Sequence, residues 1–160
     1  MENIHKKFIE NLVESEKHWG SADHLIYITY PVVGDAKLIL RAFESLYKSL
    51  VLNVSTILKF EYLYKRISLG KNRDKNLNCF FKKCAERYGL DKQDIGVVKE
   101  IIFLGKKHKE SSVEFSKRDK IVILDEVLGN YTINIDKMKN FISVSRKLLE
   151  NTNRNFRKNF

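Results

Sequence analysis

Residues 35–69 read DAKLILRAFESLYKSLVLNVSTILKFEYLYKRISL and contain neither glycine nor proline. As a single α-helix this segment would be about 50 Å long at ~1.5 Å per residue. At ~100° per residue, one narrow face is polar, and we call it the charged stripe: Lys37, Arg41, Glu44, Lys48, Ser55, Lys59 and Arg66. An apolar row lies nearly opposite: Ile39, Leu46, Leu50, Ile57 and Tyr64. We therefore expect a long amphipathic helix that forms the spine of a bundle.

Four residues of this helix break the pattern. Asn53 and Glu61 project toward the apolar side, and buried polar groups are costly unless they are paired. We expect Glu61 to pair with Lys65 one turn later and Asn53 to bond to a neighbouring helix, the alternative being a functional pocket. Leu52 and Tyr62 fall inside the charged stripe, which favours cover by a small β-hairpin predicted later in the chain or by a second subunit.

Similar periodicity predicts further helices on both sides of the spine. A first helix runs from about residue 3 to residue 30, bent near Gly20 and ended by Pro31. Asp35 is a suitable N-cap for the spine. A basic polar loop at 68–76 precedes a third helix that Gly89 stops, and Asp91 opens a fourth.

The last third of the chain has a different pattern. β-Branched runs at 121–125 and 131–135 flank Leu128-Gly129-Asn130 and predict a small β-hairpin. Asp136 can cap a last helix, and residues 151–160 are expected to fray. With 43% hydrophobic and 31% charged residues and a single proline, these patterns predict one mainly α domain over residues 1–160. It would be an antiparallel up-and-down bundle of about five helices with a small β-hairpin before the last helix.

The formal charge of +10 attracts nucleic acid or anionic surfaces, although a chain from an AT-rich genome can be basic for compositional reasons alone. The candidate nucleic-acid contacts lie in the 68–76 loop, at the end of the fourth helix and in the tail: Lys71, Arg73, Lys75, Lys106, Lys107, Lys109, Arg154, Arg157 and Lys158. In the tail, Phe156 and Phe160 alternate with basic residues, a composition that suits single-stranded RNA. The alternatives are a favourable helix-end charge and a solvated tail.

Motifs for several chemistries are missing from the sequence. Cys79 and Cys84 do not have zinc-ligand spacing, and there is no HExxH, P-loop, GxGxxG or GxSxG. We therefore expect no metal and no cofactor. The first residues are charged throughout, and no stretch approaches the ~20 apolar residues of a membrane span, which favours a cytoplasmic protein without membrane contact.

One polar segment could carry acid–base chemistry. Residues 108–120, HKESSVEFSKRDK, mix charged types outside any predicted regular element. His108, Glu114, Arg118 and Asp119 could form an acid–base site there. The alternative is a structural salt-bridge network that docks the hairpin onto the bundle.

Several of these segments carry a family resemblance: the run 22–25 (ADHL), the hinge Tyr30-Pro31, and Asp35, Lys37 and Leu38 with the run 42–47 (AFESLY). They resemble the opening helical hairpin of HEPN-type domains, and residues 108–120 are similar to a segment of small archaeal proteins. The resemblance implies a compact bundle, homodimers through helical faces, and roles in RNA cleavage, RNA binding or toxin–antitoxin pairs.

The chain departs from the ribonuclease members of that family. Those members carry an Arg followed about four to six residues later by His, whereas no Arg precedes His5, His18, His24 or His108 at that distance. No family active-site residue is therefore carried over. We expect a noncatalytic binding or regulatory protein that forms a homodimer through helical faces and associates with RNA through its basic surface. The alternatives are a HEPN-like nuclease or toxin–antitoxin component with a different polar site, and a protein–protein assembly module.

Overall fold

The computed structural model describes residues 2–110, 113–124 and 129–159. The chain is mainly helical with a small antiparallel sheet before the last helix, as predicted. In chain order the elements are α1 (Glu2–His24), a π-helical segment (Leu25–Thr29), α2 (Tyr30–Val33), α3 (Lys37–Leu63), α4 (Arg73–Cys79), a second π-helical segment (Phe80–Cys84), α5 (Lys92–Glu110), β1 (Val113–Lys117), β2 (Lys120–Leu124), β3 (Asn130–Asn134) and α6 (Ile135–Lys158). Helix α1 continues through the first π segment into α2, and α4 continues into the second π segment. The described helices therefore form five continuous segments.

Helix α3 is the spine of the bundle. Its apolar row is buried from Ile39 to Ile57, and it packs against α1, α5, α6 and β2. Helix α1 lies antiparallel to it, with Phe8 against Phe60 at a ring-centroid distance of 5.5 Å. Helix α6 runs parallel to α3 and places Phe156 against the same Phe60 ring at 4.1 Å. One continuous apolar core therefore joins the three long helices and the sheet.

Helix α3 ends earlier than the sequence pattern predicted, at Leu63 instead of Leu69. Lys65 adopts a left-handed conformation with φ of 59°, and the N–H of Arg66 donates to the carbonyl of Glu61 at 3.0 Å. This is the Schellman arrangement that commonly terminates helices. It turns Lys65 away from Glu61, so the predicted Glu61–Lys65 pair is wrong.

Glu61 is buried as predicted, with 1% of its surface exposed, but its partners come from elsewhere. Its carboxylate accepts hydrogen bonds from Arg66 at 3.2 Å, Arg87 at 2.8 Å and the Tyr88 hydroxyl at 2.8 Å. Burial, followed by the Glu61 carboxylate, raises the pKa of Tyr88 above its ordinary range, so the hydroxyl stays protonated and donates. This network ties the end of α3 to the segment after the second π turn.

Asn53 is also buried, but the predicted bond to a neighbouring helix is wrong. Neither side-chain polar atom of Asn53 has a hydrogen-bond partner among the described residues. One turn earlier, Ser49 and Ser15 exchange hydrogen bonds with each other's backbone carbonyls at 2.7 and 2.6 Å. The polar link between α3 and α1 is therefore made by the serine pair.

The first helix is continuous through Gly20, as predicted, and has a π segment near its end. In this segment the N–H of Tyr30 donates to the carbonyl of Leu25. Pro31 does not end the helix. It falls in the first turn of α2, where a missing N–H costs little, and the helix ends at Gly34 with φ of 71°.

Capping explains where the other helices begin. The side chain of Asn72 accepts from the N–H of Lys75, so α4 starts at Arg73 inside the segment predicted as a loop. At the start of α5, the backbone N–H of Asp91 donates to the Asp94 carboxylate and the N–H of Asp94 donates to the Asp91 carboxylate. The prediction that Asp91 opens this helix is confirmed. Asn134 caps α6 in place of the predicted Asp136.

The sheet has one strand more than the predicted hairpin. Strands β2 and β3 pair antiparallel close to the predicted runs, with Ile121 opposite Ile133. Residue 125, which ended the first predicted run, lies outside the described residues. Strand β1 was predicted as part of a polar loop, and it pairs with β2 so that Glu114 lies opposite Ile123. The strand order is β1-β2-β3.

The prediction that the tail frays is wrong for residues 151–158, which form the last turns of α6. Phe156 is fully buried against Phe8 and Phe60, and this packing holds the tail in the helix. Within the parts of the chain described above, no helix has both the length and the apolar character needed to span a bilayer.

Candidate functional site

A groove runs along one side of the bundle between α3, the start of α4 and the end of α5, and we call it the α3–α5 groove. It consists of two adjoining clefts of about 480 and 580 Å³ that share Tyr47, Val51, Ser55 and Lys109 in their walls. From Glu44 to Lys59 the α3 wall is about 22 Å long. One wall of the groove is thus the middle part of the predicted charged stripe, from Glu44 to Lys59.

The floor of the groove is apolar. Leu52, which falls inside the charged stripe, lies in this floor next to the half-exposed Val51. Leu58 and Leu77 continue it toward α4, and Ile102 contributes from α5. The position of Leu52 within the charged stripe is explained by its place in this floor. Tyr62, further along the stripe, remains exposed in the described structure.

Basic side chains outnumber acidic ones along the walls by five to two. The basic residues are Lys48, Lys59, Arg73, Lys106 and Lys109, and the acidic residues are Glu44 and Asp74. Asp74 forms an ion pair with Lys106 across the groove at 3.2 Å. The cationic surplus and the apolar floor together suit a ligand that is both anionic and partly apolar.

Tyr47 stands at the junction of the two clefts, held against the backbone of α5. A Cβ atom on Gly105 would lie 2.1 Å from this ring, so only glycine permits the close approach of α5. The ring also stacks on Phe43 with centroids 6.3 Å apart, and the ammonium of Lys109 lies 5.0 Å from its centroid. Tyr47 is therefore fixed in orientation while it still lines the groove.

A histidine between two carboxylates lies at one end of the groove. The Nδ1 of His108 lies 2.5 Å from Oε1 of Glu114 in β1, and its Nε2 lies 3.0 Å from Oε1 of Glu44 in α3. An imidazole can donate to both carboxylates only in its protonated form. The contact joins α3, α5 and the sheet, and we call it the Glu44–His108–Glu114 relay.

The structure brings together two of the four predicted acid–base residues. His108 and Glu114 meet in the relay, and Glu44 joins them from 64 positions away. Arg118 and Asp119 lie in the exposed turn between β1 and β2, where Arg118 has φ of 52°. The segment thus resembles the alternative expectation, a polar network that docks the sheet onto the bundle.

The predicted nucleic-acid contacts fall in different places. Arg73, Lys106 and Lys109 line the groove, and Lys71 and Lys75 lie beside it, around the start of α4. Lys107 lies over the Phe103 ring at 5.5 Å. The tail residues are carried on the last turns of α6, away from the groove walls: Arg154, Arg157 and Lys158.

The prediction that Phe156 stacks on bases is wrong because its ring is fully buried. Phe160 lies outside the described residues. Three residues that line the groove, Lys48, Lys59 and Tyr47, were not among the predicted contacts. The two lysines belong to the charged stripe, which was the available signal for them.

The two cysteines are free thiols, and Cys84, the last residue of the second π segment, is buried. Burial, with a smaller contribution from the Glu61 carboxylate, raises the pKa of Cys84 to about 12. It therefore stays protonated and unreactive near neutral pH. Among the described residues, no group of three or more His, Cys, Asp or Glu side chains is arranged to hold a metal ion.

Comparison with known proteins does not assign the groove. No protein family, curated protein or solved structure matches this chain.

Proposed function

We propose that this chain is a noncatalytic binding protein for single-stranded RNA and that the α3–α5 groove is its binding surface. The observation that carries the proposal is the basic rim above an apolar floor. Phosphates would lie along Lys48, Lys59 and Lys109, and bases would pack against Val51, Leu52 and the Tyr47 edge. A single strand fits best because its bases are free to contact an apolar surface, whereas duplex bases are stacked inside.

The Glu44–His108–Glu114 relay supports a noncatalytic role. A general base needs a free lone pair within reach of the proton that it removes. Both ring nitrogens of His108 already face carboxylates, so the imidazole serves to hold α3, α5 and β1 together. Arg118 and Asp119 are not part of this group.

Fluorescence anisotropy with a labelled single-stranded RNA at a series of salt concentrations tests the proposal. We expect log affinity to fall linearly with log salt, by about 0.7 per phosphate contact. Changing Lys48, Lys59 and Lys109 together to Gln removes three groove charges. This triple variant should lower the slope by about 2 and the low-salt affinity by on the order of tenfold or more.

A matched control removes three basic charges from the tail, with Arg154, Arg157 and Lys158 changed to Gln. It alters net charge equally, so general attraction falls by the same amount, but the groove stays intact. We expect its slope to remain close to that of the wild type. Absence of binding at low salt, an affinity independent of salt, or an equal loss in the two triple variants would contradict the proposal.

A second candidate function is homodimeric assembly, and one specific observation favours it. The tip formed by the first π segment and α2 exposes four apolar side chains, with Val32 85% and Val33 61% exposed. Tyr27 and Ile28 lie in the same tip. Exposed apolar clusters of this kind often mark protein contacts. The contact would use the end of the hairpin, not the helical faces that the resemblance implies.

Sedimentation equilibrium tests this assembly. We expect a dimer whose dissociation constant rises at least about tenfold when Val32 and Val33 are both changed to Asp, because burial of these side chains would drive association. Changing the half-exposed Val13 on α1 to Asp is the control and should leave dimerisation unchanged. A wild-type chain that is monomeric at every concentration measured would rule the assembly out.

A further inference from the structure

We propose that Glu44 selects the nucleobase that binds at the His108 end of the α3–α5 groove, by accepting a hydrogen bond from an exocyclic amino group. The inference rests on the proposed RNA-binding function and adds to it a base preference. The groove would favour bases that carry an amino group, such as cytosine, over uracil. The argument depends on where Glu44 lies, how it is held and what it can accept.

Glu44 is placed inside the groove by its helix. It lies one turn before Tyr47 and Lys48 on α3, and all three line the same cleft. Its side chain is 46% exposed, so a ligand can reach it. A base packed near Tyr47 would therefore present its edge to the Glu44 carboxylate, while the adjacent Lys48 is available for a phosphate.

Among the described residues, only one oxygen of this carboxylate has a hydrogen-bond partner. Oε1 contacts His108, whereas Oε2 has no hydrogen-bond partner in the part of the chain that the structure describes. His108 is itself fixed by Glu114 on its other side. The free oxygen is thus held in a defined position before any ligand arrives, which lowers the entropic cost of a directional contact.

The charge of Glu44 determines which ligand groups it can receive. A carboxylate only accepts hydrogen bonds, and it repels phosphate. Glu44 therefore marks the end of the row of basic side chains along the groove. Among nucleic-acid groups, the exocyclic amino groups of cytosine, adenine and guanine are good donors to a carboxylate. Uracil presents carbonyl oxygens beside its single N–H, and these oxygens would be repelled. Cytosine and uracil have the same ring size, so this difference isolates the amino group.

The test compares labelled oligocytidylate and oligouridylate of equal length, with affinities measured by anisotropy at one salt concentration. The wild-type protein should bind oligocytidylate about tenfold more tightly, as expected for one hydrogen bond to a charged group. In Glu44→Gln the amide can donate as well as accept, so this ratio should fall to about 1. The ratio should fall mainly because affinity for oligouridylate rises, since the carboxylate no longer repels the carbonyl oxygens of uracil.

The control is Glu150→Gln, which removes the same charge from a surface ion pair on α6 and should preserve the base ratio. The wild-type ratio needs no variant, so a folding defect in Glu44→Gln leaves the test decisive. Salt-dependent binding with equal affinity for the two oligonucleotides, or a ratio unchanged in Glu44→Gln, would overturn the inference and leave the proposed function intact. Absence of binding to both oligonucleotides would overturn the proposed function as well.

Discussion

Replacing Phe156 with alanine should lower the free energy of unfolding by about 3–5 kcal/mol. The ring is fully buried, stacked on Phe60 at 4.1 Å and tilted against Phe8 at 5.9 Å. The substitution removes apolar contact and leaves a cavity between three helices that cannot all move inward. Urea unfolding followed by circular dichroism measures the loss as a lower midpoint at an unchanged slope.

Phe103 provides a matched control for this result, because it is the same residue type but is 43% exposed on α5. Phe103→Ala should cost clearly less, about 1–2 kcal/mol, because nearly half of this side chain is already exposed although its ring packs on Tyr131. Equal losses at the two positions, or a Phe156→Ala protein as stable as the wild type, would mean that the tail does not pack as described.

The second large effect is expected at the buried carboxylate. We predict that Glu61→Gln lowers the free energy of unfolding by about 3 kcal/mol, the lower part of the range for breaking a buried ion pair. The new amide places N–H donors against two guanidinium groups that also donate. The loss is moderated because Arg66 and Arg87 are 33% and 49% exposed and can regain water.

A surface ion pair gives the comparison for Glu61. Glu150 and Arg146 lie one turn apart on α6 at 3.0 Å, and both side chains are more than half exposed. Glu150→Gln removes the same charge and should change stability by less than about 0.5 kcal/mol. If urea unfolding shows similar changes for the two variants, the Glu61 network does not fasten α3 to the segment around Tyr88.

The sequence predicted best which face of a single helix each side chain lies on. The spacing of about 100° per residue placed Lys48 and Lys59 on an outward stripe of α3 and Glu61 on its buried side, because these positions depend only on the helical period. The opposite wall of the groove depends on how α5 crosses α3. The signal for that crossing is Gly105, which is indistinguishable from other glycines until Tyr47 is seen against it.

Two wrong predictions have a common physical cause. Strand β1 carries alternating residues, with Val113 and Phe115 separated by Glu114, but its charges favoured a loop. The end of α6 is rich in asparagine, which has low helix propensity. In each case pairing or packing with distant parts of the chain outweighs the local preference. Glu44 illustrates the same limit, since its partner His108 lies 64 residues away.

The shared contact at Phe60 also constrains the order of folding. Phe8 and Phe156 meet on one ring although they are 148 residues apart in sequence. Helices α1 and α3 can pair early as a local hairpin, but their joint core stays open until α6 has been synthesised. Contacts of such large sequence separation slow folding and leave apolar surface exposed during translation. The nascent chain therefore exposes the apolar face of α3 that α6 covers until α6 has been synthesised.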